Sequence, residues 1–132
     1  ICFKSAEWKC GDLGTKTRGE IIDAICEKYP NDAENVRMIM ENCDDMLRIS
    51  KKNTEVVKKL KAAGVGVYYL SNTNDHAFEF MTSTYEVFSY MDGGIASYRD
   101  GVIKPSADIF KLFFVFRHDV SLPSLAMPST YR

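Results

Sequence analysis

The sequence predicts an α/β chain, a parallel-sheet core preceded by a small helical cap. Three observations lead there. Residues 17–48 place apolar side chains at helical spacing among many charges. Residues 65–70 form an unbroken apolar run, bounded by Gly64 and by the polar stretch Ser71-Asn72-Thr73-Asn74. Continuous rather than alternating apolarity marks a strand buried on both faces, as in a parallel sheet. The order helix, strand, polar turn, helix is the unit from which α/β folds are built. The expected division is a helical cap over residues 1–52 and a core over 53–132, with an irregular tail after Val120.

Composition narrows the function classes. The 132 residues are 45% apolar and carry 17 Lys and Arg against 18 Asp and Glu, for a net charge of -1. That balance argues against nucleic acid as a partner, since phosphate backbones are bound by a basic excess. No apolar stretch approaches the roughly 18–20 residues of a membrane span, so no membrane partner is expected. Cys2, Cys10, Cys26 and Cys43 include no close pair and lie far from His76 and His118. They read as free thiols in a reducing compartment, and a cytoplasmic location is expected.

Each element has a local reason. Thr17-Arg18-Gly19-Glu20 is a capping-box pattern. Ile21, Ile22, Ile25 and Tyr29 continue at helical spacing until Pro30. Asn31 suits the cap of a second helix, with Val36, Ile39, Met40, Cys43 and Leu47 as its apolar stripe. A third helix is expected over 54–63, with Val56, Val57 and Leu60 inward and Lys58, Lys59 and Lys61 outward. Gly64 suits its left-handed end. After the strand at 65–70, Phe78, Met81, Tyr85 and Phe88 mark another helix. Residues 93–98 read as a short strand, turned at Asp100-Gly101 into Val102-Ile103. Pro105 suits the start of a last helix with Ile109, Phe110, Leu112, Phe113 and Phe116 on its apolar face.

Chemistry is expected at the carboxyl end of the strand, where open α/β sheets bind ligands. The turn Ser71-Asn72-Thr73-Asn74 offers a hydroxyl, an amide and the N–H groups of a helix start, a set that suits a phosphoryl oxygen. It is equally the composition of a plain capped turn. Lys104, between a strand and Pro105, presents an ammonium either to solvent or to an anionic ligand.

Together these segments resemble the haloacid-dehalogenase-like hydrolases. That family pairs a hydrophobic strand ending in Ser or Thr with a Lys some thirty residues later, often followed by Pro and an Ile-aromatic pair. Here Leu70-Ser71-Asn72-Thr73 precedes Lys104-Pro105-Ser106-Ala107-Asp108-Ile109-Phe110, and the two marker residues are 33 apart. The wording Tyr68-Tyr69-Leu70-Ser71-Asn72-Thr73 looks most like the small sugar-phosphate phosphatases, and the helical hairpin resembles their cap. The resemblance implies a partial Rossmann-like core and a small phosphorylated substrate. It also implies phosphoryl transfer through an aspartyl-phosphate with Mg²⁺. Ser71 and Lys104 would then be catalytic, and Ser71, Asn72 and Lys104 phosphate-binding.

Two of the family's four motifs are not found. The nucleophilic Asp-x-Asp should end a strand ahead of the cap, yet Asp12-Leu13-Gly14-Thr15 follows the polar segment 5–10. Asp12 therefore reads as a loop residue. The acidic pair that holds Mg²⁺ should follow Pro123, where residues 124–132 contain no acid. The expectation is a truncated member without protein metal ligands, inactive as it stands, with self-association through exposed sheet edges. The alternatives are a non-catalytic remnant that binds a small anion or a protein partner, and a helical interaction module built on 17–48.

Overall fold

A computed structural model describes residues 2–121, with helices dominating and two short strands between them. The expected tail lies mostly outside the described residues. Helix α1 (Ala6–Asp12) is capped by Ser5, whose hydroxyl accepts from Trp8 N at 3.0 Å. The segment is too polar for a strand and was not anticipated as a helix; Asp12 is its last residue rather than a loop residue. Helix α2 (Arg18–Lys28) starts with the expected capping box, Thr17 N donating to Glu20 Oε2 at 2.8 Å and Glu20 N to Thr17 Oγ1 at 3.3 Å. A 3₁₀ turn beginning at Pro30 leads into α3 (Ala33–Glu41).

The second half of the hairpin is shorter than expected. Asp32, not Asn31, stands before α3, and it makes no side-chain cap bond. Cys43 lies in a following 3₁₀ turn, Leu47 is extended, and Ile39 is 41% exposed. Cys2, Ile21, Ile22, Ile25, Cys26, Val36 and Met40 bury together, and Trp8, Tyr29 and Ala33 pack against them. All four cysteines are free thiols, as expected, two of them buried.

Helix α4 (Lys51–Ala62) is capped by Ser50 and followed by left-handed Gly64 at φ 75°. Its orientation reverses part of the expectation. Val56 and Leu60 are exposed, whereas Lys58 and Lys61 turn toward the core. Lys58 Nζ reaches Glu86 at 2.8 Å and Glu55 at 3.3 Å, and Lys61 Nζ pairs with Asp92. Both Glu86 and Asp92 come from the connection between α5 and β2.

Strand β1 (Tyr69–Ser71) pairs in parallel with β2 (Gly94–Ala96), Leu70 opposite Ile95. The expected strand over 65–70 is thus three residues long and begins later. Ahead of the ladder Asp92 N still donates to Val67 O at 2.7 Å, and the positive φ angles of Gly93 (115°) and Gly94 (152°) fall where the partner strand begins. A Cβ on Gly94 would lie 2.0 Å from Tyr69 O, so only glycine allows the strands to meet there. Nor is β1 buried on both faces; its residues are half-buried. Helix α5 (Asp75–Thr84) joins the strands through a 3₁₀ turn over Glu86–Tyr90, which contains Phe88.

No hairpin follows β2. Instead α6 (Ser97–Asp100) turns the chain away and ends at Gly101, so Tyr98 is helical and Val102-Ile103 is loop. Buried Ser97 bonds across to Thr73 rather than extending the strand. Helix α7 (Ala107–Ser121) begins after the Pro105 turn. Ile95, Ile109 and Phe116 form the second buried cluster, with Tyr68, Leu70, Val102, Leu112 and Phe113 against it. The fold is mixed α/β. Among the described residues no helix is long and apolar enough to cross a membrane.

Candidate functional site

The carboxyl end of β1 gathers the three residues that the sequence singled out. Tyr69 N donates to Gly93 O on the β2 side at 3.0 Å. Successive residues of a strand bond to opposite sides, so the Leu70 carbonyl points to the edge away from β2. Lys104 Nζ donates to that carbonyl at 2.8 Å, although the two residues are 34 positions apart. The ammonium therefore lies on the open edge of β1, one residue before Ser71.

Asn72 holds the Lys104 backbone in place. Its Oδ1 accepts from Lys104 N at 2.7 Å and its Nδ2 donates to Lys104 O at 3.0 Å. The family resemblance implies that Asn72 supports a phosphate through its backbone N–H, and its side chain in addition holds the Lys104 backbone. Ser71 is half-buried, and its hydroxyl donates weakly to Asn72 O at 3.4 Å. An ammonium has three protons and a hydroxyl keeps its lone pairs. Lys104 thus retains donors after its bond to Leu70, and Ser71 is free to reorient toward an anion.

The start of α5 is less available than the sequence suggested. Asn74 Oδ1 accepts from Ala77 N at 2.8 Å, and the Asp75 carboxylate accepts from His76 N at 2.7 Å. A carboxylate already occupies the positive end of the helix and repels a second anion. The anion-binding capacity of this end therefore rests on Ser71 and Lys104.

A separate cavity of about 230 Å³ is lined by none of Ser71, Asn72 and Lys104. Gly11, Gly14, Thr15, Lys16, Thr17 and Glu20 line it from α1, α2 and the loop between them, and Asp75 and Tyr98 from the first turns of α5 and α6. Its size and its hydroxyl, ammonium, carboxylate and phenol groups suit a small polar ligand. Burial pushes the carboxyl groups of Asp12 and Asp100 above their ordinary range; at Asp100, Arg99 and a backbone bond to Ala96 oppose it.

Sequence reasoning missed a cluster behind the cavity. Arg18 Nη1 donates to Asp44 Oδ2 at 2.8 Å and lies 2.7 Å from His76 Nδ1. In the sequence Arg18 is only part of a capping box, and His76 is too distant from the thiols for zinc. Nothing in their spacing of 58 residues signals the contact. Burial also raises the Cys43 thiol above its ordinary range, against the nearby Arg18 charge.

The Mg²⁺ implied by the family resemblance does not fit these residues. A hard dication prefers several oxygen ligands, carboxylates above all. The Ser71–Lys104 cluster offers a hydroxyl, an amide, carbonyls and a repelling ammonium. Among the described residues, no group of three or more His, Cys, Asp or Glu is placed to hold a metal. Comparison with protein-family models, curated proteins and solved structures gives no match to this chain.

Proposed function

We propose that this chain is a haloacid-dehalogenase-like domain of the small sugar-phosphate phosphatase kind, with a partial Rossmann-like core. As it stands it binds the phosphate of a small phosphorylated metabolite without turning it over. The observation that carries this reading is the placement of the Lys104 ammonium, 2.8 Å from Leu70 O, at the end of the strand that bears Ser71. The parallel pairing of β1 and β2 supports it, because ligands of such sheets sit beyond their carboxyl ends. Charge on phosphoryl oxygens is offset by fixed donors and a cation, which Ser71 and Lys104 supply. Without a nucleophilic carboxylate in the cluster there is no covalent step to derive.

Titration with inorganic phosphate, followed through backbone amide resonances, tests this. Shifts are expected at residues 71–74 and at Lys104, and their loss in Lys104→Ala and Ser71→Ala. A generic aryl phosphate with Mg²⁺ should release no phosphate. Shifts confined to another surface, or none at all, overturn the binding site. Turnover that vanishes in Lys104→Ala overturns the inactivity. Binding without turnover also fits a non-catalytic remnant, and a substrate-sized ester binding more tightly than free phosphate favours the phosphatase-type pocket.

A further inference from the structure

Helix α4 turns an apolar stripe to solvent. Val56 is 50% exposed, Leu60 39% and Val65, just past the helix, 45%. Val65 N donates to Leu60 O at 3.0 Å, which folds the chain back beside the end of the stripe. The lysines of this helix divide into two sets. Lys58 and Lys61 pair with Glu55, Glu86 and Asp92. Lys52 and Lys59 are exposed and form no ion pair among the described residues. Lys52, Val56 and Lys59 follow one another at steps of four and three positions, which places them on one face of the helix.

The outward face of α3 carries the same pattern with the opposite charge. Glu34, Met38 and Glu41 are exposed and follow one another at the same steps of four and three. Met38 is 58% exposed, and the neighbouring Ile39 widens the apolar part of the face. Neither Glu34 nor Glu41 forms an ion pair among the described residues. Arg37 lies near Glu41, but its guanidinium is bonded to Asp23 at 2.7 Å. A single exposed apolar side chain is ordinary. Two stripes of equal spacing and opposite charge are complementary surfaces.

We propose that the outward face of α4 docks on the outward face of α3 of a second copy of this chain. Side by side and antiparallel, the two helices set Lys59 against Glu34 and Lys52 against Glu41, with Val56 against Met38 between them. The two charges on each helix are about 10 Å apart along its axis, so both pairs form together. Pairing α4 with α4, or α3 with α3, would oppose like charges. The contact joins two different faces, so every added copy leaves one α3 face and one α4 face free, and assembly continues past the dimer. Two helix faces bury less than the roughly 1,200–2,000 Å² of a stable complex, so the contact is weak and sensitive to salt. It uses none of Ser71, Asn72 and Lys104 and is independent of phosphate binding.

Sedimentation velocity of the full chain, from about 5 to 500 μM, tests this. At low salt the weight-average sedimentation coefficient should climb with concentration to values beyond a dimer, and the climb should shrink at about 0.5 M NaCl. A chain carrying Glu34→Lys and Glu41→Lys should associate at least about tenfold more weakly, and so should one carrying Lys52→Glu and Lys59→Glu. Mixed together, these two variants should associate again, and so should a chain carrying all four substitutions, because opposite charges then face each other. All four side chains are exposed, and a wild-type circular dichroism spectrum checks that each variant is folded. Wild type that stays monomeric throughout overturns the proposal, as does failure of the mixture to associate. Association that survives both charge reversals and is lost in Phe114→Ser also overturns it, placing the contact on the exposed aromatic face of α7 instead.

Discussion

The cap and the sheet-bearing part satisfy their apolar side chains to different degrees. In the cap, α1 to α3 and Cys2 close on one another around seven buried side chains, with Ile25 and Met40 almost wholly enclosed. In the sheet-bearing part three residues bury together, and α7 leaves Phe110, Phe114 and Val115 between 42% and 65% exposed. The difference follows from geometry. A helical hairpin folds two apolar stripes onto each other across a short turn, so its core is built from nearby residues. A parallel strand needs neighbours on both edges and cover on both faces, and among the described residues β1 pairs only with β2. Lys104 on the outer edge of β1 caps one exposed carbonyl, which is how edge strands are kept from pairing with other chains.

The sharpest way to break this comparison is to truncate a fully enclosed side chain on each side. Ile25 and Ile109 are both 0% exposed. Ile25→Ala in the fuller cluster should cost about 4 kcal/mol, because the surrounding helices cannot collapse into the cavity. Ile109→Ala should cost about 2 kcal/mol, because the thinner cluster relaxes. Chemical denaturation of the two variants checks this, and the reverse order would mean that the sheet part has the stiffer core.

A smaller effect is expected where the strands are tied together. Ser97 Oγ accepts from Thr73 N at 3.0 Å and donates to Thr73 O at 3.2 Å, and both residues are buried. Ser97→Ala leaves two buried backbone groups unpaired and should cost about 2 kcal/mol. The same variant should weaken phosphate binding, because the Ser71–Asn74 loop loses its anchor. Wild-type stability in this variant would show that water or a shifted backbone replaces the hydroxyl.

The smallest effect is electrostatic and opposite in sign at two carboxylates, one from each part, Asp92 and Asp12. Asp92 lies below the ordinary carboxylate range because Lys61 and the Val67 N–H bond to it. Its ionised form is favoured by folding, so its contribution is present above the ordinary range and is lost as pH falls through the folded value. Asp12, in the cap, is raised by burial. Its ionised form opposes folding at neutral pH, and the penalty is relieved as acid protonates it. Melting temperature followed from neutral to acid pH should therefore fall less steeply in Asp92→Asn and more steeply in Asp12→Asn than in wild type.

Much of this was legible residue by residue. The capping box at Thr17, the stop at Pro30 and the left-handed Gly64 each depend on neighbours a few positions away, and each appears as expected, whereas α7 buries Ile109 and Phe116 of its expected face but leaves Phe110 42% exposed. The proximity of Lys104 to the end of β1 is what the family resemblance of the two segments implied. The rotation of α4 was not. Val56 and Leu60 have a periodic pattern that argues for burial, yet Lys58 and Lys61 find Glu86 and Asp92 about thirty positions away. Likewise Asp100-Gly101 favours a hairpin locally, but the Ser97 hydroxyl reaches Thr73 and the chain turns into α6.

The sequence by itself determined the longer helices α2, α4, α5 and α7, the capping box at Thr17 and the residues available to meet an anion, because those follow from side-chain shape and spacing within a turn or two of backbone. Only the tertiary structure decided which faces are covered, where β1 begins, and that Arg18, Asp44 and His76 stand together behind the cavity. Those outcomes are competitions between partners distant in the chain, and the winner depends on distances that exist only once the cap has closed on the strand ends.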